Sequence, residues 1–227
     1  MGGATRVLLV GAHGRMGEAV AAAAAQDSGL TIAAKLGHGD SLGEVIGNCD
    51  VVIDFSTADA TEEVCRICAG HGKPLVLGTT GHDEAQKEAV RAAAEKIPLV
   101  FAANFSLGVN TLFALSRRAA ELLGDDFDVD LVEMHHRTKR DAPSGTAKRL
   151  LEILQEARGG KKIAAQSIRA GDIVGEHTVV FSGTGERLEL THRSGSRATF
   201  AIGALRAARW AAAQKPGLYD MQDVLGL

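Results

Sequence analysis

Five basic or titratable side chains crowd into six consecutive positions of this chain: His135, His136, Arg137, Lys139 and Arg140. They follow a strand-like run, Asp128 to His135, and a helix start comes at once at Ser144-Gly145-Thr146. Ser144 is of the type that caps a helix, and the first-turn N–H groups of Gly145 and Thr146 suit a carboxylate. Cations beside a helix N-terminus make a site for a multiply charged anion. The histidines add proton transfer near neutral pH. A solvated basic loop is the plainer reading. The capped helix start just downstream argues against it.

A second constellation lies near the chain start. The segment Gly11-Ala12-His13-Gly14-Arg15-Met16-Gly17 follows an apolar run and opens a helical one. Gly11 permits a tight turn, Gly14 a close backbone approach to a diphosphate, and Gly17 close packing of helix on strand. The spacing is G-x-x-G-x-x-G rather than G-x-G-x-x-G, so context carries the inference. Gly78-Thr79-Thr80-Gly81, Ala102-Ala103-Asn104-Phe105-Ser106 and Asp54-Phe55-Ser56 each end a strand-like run. In a doubly wound sheet such ends line the ligand crevice. After the second strand, Asp40 suits a ribose hydroxyl, whereas Lys35, His38 and Arg15 suit a 2′-phosphate. The choice between NADH and NADPH stays open.

The elements needed to hold these residues are legible as periodicity. Strands are expected at 6–10, 30–35, 51–55, 74–77 and 99–102, with helices at 16–26, 58–70 and 83–96. This alternation implies an α/β, Rossmann-like, doubly wound parallel sheet. Beyond residue 107 the pattern changes: a helix at 108–123, a strand at 128–135, a helix at 144–158, then strands at 176–182 and 186–193. Gly183-Thr184-Gly185 between the last two marks an antiparallel hairpin. A smaller α+β domain with a mixed or antiparallel sheet is therefore expected at 107–206, with a dinucleotide-binding domain at 1–106 to which 207–227 returns.

The chain has 227 residues, a formal net charge of −3 and 45% hydrophobic residues. That balance gives no pull toward nucleic acid or anionic membranes. No run approaches 18 apolar residues and no signal-peptide pattern precedes the first strand. Three cysteines close no disulfide framework, which points to a reducing, cytoplasmic setting. Cys65 and Cys68 spell C-x-x-C inside a helical pattern and read as small apolar residues. His192 reads as structural; His177 reads first as structural, with an approach to the substrate cleft as the alternative; Trp210 and Tyr219 read as packing for the returning segment. No metal site is expected.

The run His135-His136-Arg137-Thr138-Lys139, with Asp141-Ala142-Pro143-Ser144-Gly145-Thr146-Ala147, resembles the signature of the dihydrodipicolinate reductases. Residues 11–16, 78–80 and 102–105, Arg169-Ala170-Gly171-Asp172 and Gly175-Glu176-His177 match that family in order. The resemblance implies that His135 is the catalytic acid/base and that Lys139 assists protonation and holds the substrate. It implies a substrate set of His136, Ser144, Gly145 and Thr146 for a small dicarboxylate. Gly11, Ala12, His13, Gly14, Arg15, Met16, Gly78, Thr79, Thr80, Ala102, Ala103, Asn104 and Phe105 would hold NADH and/or NADPH. It also implies a homotetramer joined through the C-terminal sheet. Thr57 stands where some members carry an arginine associated with NADPH, Gly37-His38 where an acidic residue or an arginine often sits, and the chain is shorter than many relatives. The alternatives are another dehydrogenase of a small dicarboxylate and a non-catalytic nucleotide sensor.

Overall fold

A computed structural model describes residues 3–227. The chain divides into two compact units. One comprises the chain up to Leu107 together with Arg197–Leu227, and the other is Gly108–Ser196. The return to the first unit thus begins at Arg197, before the residue 207 expected. The cause is an Ala-rich helix whose buried face belongs to the first core.

The first unit runs β1 (Thr5–Val10), α1 (Arg15–Ala24), β2 (Leu30–Leu36), the short α2 (Leu42–Val45), β3 (Val51–Asp54), α3 (Thr61–Gly70), β4 (Leu75–Leu77), α4 (Glu84–Ala94) and β5 (Pro98–Phe101). The second unit holds α5 (Leu107–Leu123), β6 (Asp128–His135), α6 (Gly145–Ala157), β7 (Ala164–Arg169), β8 (Gly175–Gly183) and β9 (Glu186–Ser194). The chain then completes the first unit with α7 (Ala198–Ala211), β10 (Gly217–Tyr219) and α8 (Met221–Leu225).

The first sheet has the order β10-β5-β4-β3-β1-β2, every pair parallel. Successive side chains of a strand face opposite ways, and here both faces are covered. Val7, Leu9, Ile53, Val76 and Val100 pack in one core with α1, α7 and α8. Leu8, Val52, Leu75, Leu77 and Leu99 pack in the other with α2, α3 and α4. Burial on both faces is why these strands read as continuous apolar runs. Chain order reverses between β1 and β3, which places the ligand crevice of such a sheet at their carboxyl ends. Trp210 and Tyr219 meet edge to face at 4.9 Å in the returning segment, as expected.

The second sheet has the order β7-β6-β8-β9. β6 pairs with β7 in parallel and with β8 antiparallel, so the sheet is mixed. The β8–β9 hairpin turns through Thr184-Gly185, with Gly185 at φ 82. One face packs on α5 and α6 through Leu131, Val179, Phe181, Leu112 and Leu150. Cys65 and Cys68 are buried, unbridged core residues of α3, and burial pushes the Cys65 thiol up to about 12.

Gly203 of α7 lies so close to the β5 turn that an added Cβ would stand 1.7 Å from the Phe105 carbonyl oxygen. Gly203→Ala is therefore expected to destabilise the first unit by about 3 kcal/mol, read as a lower unfolding midpoint. Gly47→Ala, where a Cβ would meet nothing within 4 Å, should leave the midpoint unchanged.

Candidate active site

The glycine turn after β1 is built by contact with the turn after β3. Gly11 has φ 74, and a Cβ there would lie 2.6 Å from the Phe55 carbonyl carbon and oxygen. A Cβ on Gly17 would lie 2.3 Å from the Gly11 carbonyl oxygen. Gly14 is the N-cap of α1 and supplies no side-chain cap, which leaves the first-turn N–H groups without one. Ala12 donates its N–H to Leu36 at 3.0 Å, and the His13 ring lies against Gly37. The Asp40 carboxylate does not extend into its loop. It accepts the Gly37 N–H at 2.8 Å, at the end of β2. Arg15 and His38 are exposed.

The next turns are tied to the same strand ends. The Phe55 ring occupies the space that a Gly78 Cβ would need, and it meets Phe105 edge to face at 5.7 Å. Asp54 is fully buried and accepts the Ser56 N–H at 2.8 Å; burial pushes its carboxyl up against that hydrogen bond. Asn104 folds back to accept the Ser106 N–H at 2.8 Å. The segments 11–17, 54–56, 78–80 and 102–105 thus all stand at the carboxyl ends of one parallel sheet.

The second constellation is a consequence of strand period and register. Alternate residues of β6, namely Leu131, Glu133 and His135, face the core side. β7 sets Ser167 beside Glu133 and Arg169 beside His135. β8 sets His177 opposite Glu133. Glu133 has no exposed surface. Its Oε2 accepts from Nδ1 of His135, and its Oε1 accepts from Nη2 of Arg169 at 2.7 Å. Arg169 also donates to the Asp141 carbonyl at 2.6 Å, which ties the basic loop to this cluster. Burial alone would raise the Glu133 carboxyl. Hydrogen bonds from Arg169, Ser167 and His135 outweigh it and hold the group at about 2. Burial pushes the His135 imidazole below its ordinary value, against the pull of Glu133.

The loop and helix start that follow His135 carry the other expected residues. Ser144 caps α6, its Oγ accepting the Ala147 N–H at 3.2 Å and lying 3.1 Å from Nε2 of His177. That hydroxyl is buried, so Ser144 acts through the cap. Gly145 and Thr146 form the first turn. The His136 Nδ1 lies 2.7 Å from the Thr138 hydroxyl, and Lys139 pairs with Asp141 at 2.8 Å. Arg137 donates its N–H to Gly171 at 3.1 Å. Gly175 lies over the ring of His135: a Cβ there would be 3.0 Å from Nε2.

His177, read as structural, belongs to this cluster. Its ring meets that of His135 edge to face at 5.3 Å. Glu133 and Arg169 were also passed over as functional. The spacing of Glu133 two residues before His135 on a strand was a usable signal, because such residues share a face. Glu133, His135 and His177 offer ligand atoms within 4.8 Å of one another, a set that suits a divalent transition metal. Both Glu133 oxygens are already engaged, however, and Arg169 and Lys139 place positive charge beside the set. The arrangement suits proton transfer better than metal binding.

A parallel nucleotide-type sheet with a glycine turn, in one chain with a unit bearing a buried carboxylate–imidazole pair and a cationic loop, defines a nicotinamide-dependent oxidoreductase. The chain belongs to the dihydrodipicolinate reductase family. The family's N-terminal model matches residues 5–105 and its C-terminal model residues 108–225. A 4-hydroxy-tetrahydrodipicolinate reductase of Akkermansia muciniphila is 46% identical over 240 residues, covering 97% of this chain and 98% of the relative. One of Hahella chejuensis is 42% identical over 265 residues, covering 98% and 99%. Among solved structures, a dipicolinate-bound dihydrodipicolinate reductase from Paenisporosarcina sp. TG-14 has the same fold. Its TM-score is 0.85 at 24% identity, covering 97% of this chain and 98% of that one.

Burial, then the neighbouring His135, drives His177 down to about 4. A histidine with a folded value below its unfolded one stabilises the fold above the unfolded value. That contribution is lost as pH falls through the folded value. The second unit is therefore expected to lose about 3 kcal/mol between pH 6.5 and 4. Thermal unfolding across that range should show the loss, and His177→Gln should flatten it.

Proposed function

We propose that this chain reduces 4-hydroxy-2,3,4,5-tetrahydrodipicolinate to tetrahydrodipicolinate with NADH or NADPH, releasing water, in lysine and diaminopimelate biosynthesis. Substrate, hydride and one proton give product and water, so the enzyme must deliver one proton. The observation that carries the reading is His135: a buried imidazole, one ring nitrogen bonded to a carboxylate and the other beside a side-chain-free residue, at the head of a cationic loop and a capped helix.

The cofactor fits the residues present. Gly11 and Gly17 let the turn pack backbone on backbone where a Cβ would clash, which holds the turn at the start of α1, and α1 presents an uncapped N-terminus of positive potential to a diphosphate. Gly11, Ala12, His13, Gly14, Arg15 and Met16 would hold the diphosphate end. Gly78, Thr79, Thr80 and Ala102, Ala103, Asn104, Phe105 would hold the nicotinamide end. The 4-hydroxyl leaves as water with a hydrogen of the adjacent ring carbon, which gives a conjugated imine; a bound cofactor would supply hydride to C4 of that imine.

His135 then delivers the proton to the adjacent ring carbon. Lys139 holds a substrate carboxylate in place of Asp141 and steadies the negative character that develops toward the ring nitrogen. His136, Gly145 and Thr146 hold the carboxylates, with Ser144 keeping the helix start in place. A ring dicarboxylate such as dipicolinate is the matching inhibitor class. The dianion brings negative charge to His135 and so favours its protonated form. That offsets the burial which keeps the free imidazole neutral.

Assembly as a homotetramer through the second unit's sheet is part of the proposal. It is supported by the exposed apolar side chains Ile168, Val174 and Leu188 on that unit. A cytoplasmic setting is supported by three unbridged, buried cysteines. No helix of the described residues is long and apolar enough to cross a membrane.

His135→Gln is expected to lower kcat about 10²–10⁴-fold while cofactor affinity, measured by nucleotide fluorescence, stays unchanged. The assay is nicotinamide oxidation with freshly generated substrate. Turnover at the unaltered rate would remove His135 from the role.

A further inference from the structure

Glu133 takes no part in the chemistry just described, yet it is the most completely enclosed charged group in the cluster. Its two oxygens are divided between partners. One accepts from His135 Nδ1 and the other from Arg169 Nη2 at 2.7 Å. Arg169 is itself anchored, donating to the carbonyls of Asp141 and Ile168 at 2.6 and 2.8 Å.

We propose that Glu133, clamped by Arg169, is the positioning residue of this enzyme: it holds the proton of His135 on Nδ1 and so leaves Nε2 as the nitrogen that delivers a proton to substrate. This deepens the assignment of His135 made above and rests on it. An ionised carboxylate only accepts hydrogen bonds. The hydrogen shared between Glu133 and His135 therefore belongs to Nδ1. Nε2 is the nitrogen beside Gly175, where the missing side chain leaves room. In the proton step the Nε2–H bond breaks, the carbon–hydrogen bond forms, and the imidazole is left neutral with Nδ1–H still on Glu133. The carboxylate also opposes the charged neighbours Lys139 and Arg169, both of which disfavour the imidazolium. Arg169 keeps Glu133 ionised and fixed, so the loop carrying Lys139 and Asp141 and the strand carrying His135 share one anchor.

The test is Glu133→Gln, with Arg169→Lys made in parallel in case the glutamine weakens the fold. Nitrogen-15 spectra of labelled histidine read the titration of His135 without any need for turnover. Loss of the carboxylate should lower the His135 midpoint by about one unit or more and lower kcat at neutral pH about 10–100-fold. Substrate KM and cofactor affinity should stay within about twofold, since Glu133 touches neither. Arg169→Lys should move the same quantities in the same direction by less. In a His135→Gln background Glu133→Gln should cause no further loss of turnover, because it acts through His135. A His135 midpoint that stays in place, or an equal further loss in that background, overturns the proposal. Absence of turnover by the unaltered enzyme would instead defeat the reductase reading, and the titration would still decide the role of Glu133.

Discussion

A carboxylate with no solvent exposure must have its charge met from within the protein, and Glu133 imposes that condition on the second unit. Burying an ion without a partner is costly; removing one member of a buried pair typically costs about 3–5 kcal/mol. Arg169 meets the requirement, and it does so because β7 runs parallel to β6 in a register that sets Arg169 beside His135, two residues along from Glu133, from where its guanidinium reaches back to the carboxylate. The antiparallel neighbour β8 supplies His177 and the gap at Gly175. A mixed sheet is thus what lets one strand face a cation on one side and a neutral imidazole on the other.

The first unit answers a different demand. Its sheet is apolar on both faces, so the only place for polar work is the row of strand ends, where backbone leaves the core. There the limiting quantity is space. Phe55 presses its backbone on Gly11 and its ring on Gly78, and Gly17 lies on Gly11. These contacts leave backbone N–H groups, rather than side chains, to face a phosphate. In the proposed function the two units divide the reaction accordingly: one would offer shape and dipoles to a nucleotide, the other charge and a mobile proton to a dicarboxylate.

Much of this was legible in the sequence because the signals were local. The apolar runs of β1, β3 and β5, the glycine turn into α1, the β8–β9 hairpin and the Ser144 cap each depend on a few adjacent residues. Elements that depend on distant partners were not. β7, with the sequence Ala-Ala-Gln-Ser-Ile-Arg, is an edge strand without clean alternation, and β10 spans three residues that pair only with β5. The return of the chain was placed too late because the Ala-rich face of α7 gives a weak periodic signal. Arg169 and His177 stood in recognisable segments, but only sheet register brings them to His135. The place of Asp40 relative to the end of β2 is likewise set by a contact the sequence does not display, its hydrogen bond from the Gly37 N–H.

The central claim is that a neutral, carboxylate-anchored imidazole becomes the proton donor when a dianion arrives. Calorimetric titration of the cofactor-loaded enzyme with dipicolinate, in two buffers of different ionisation enthalpy at about pH 7.5, measures it directly. The account predicts net uptake approaching one proton per site, lost when residue 135 cannot titrate. Binding with no proton uptake would contradict it.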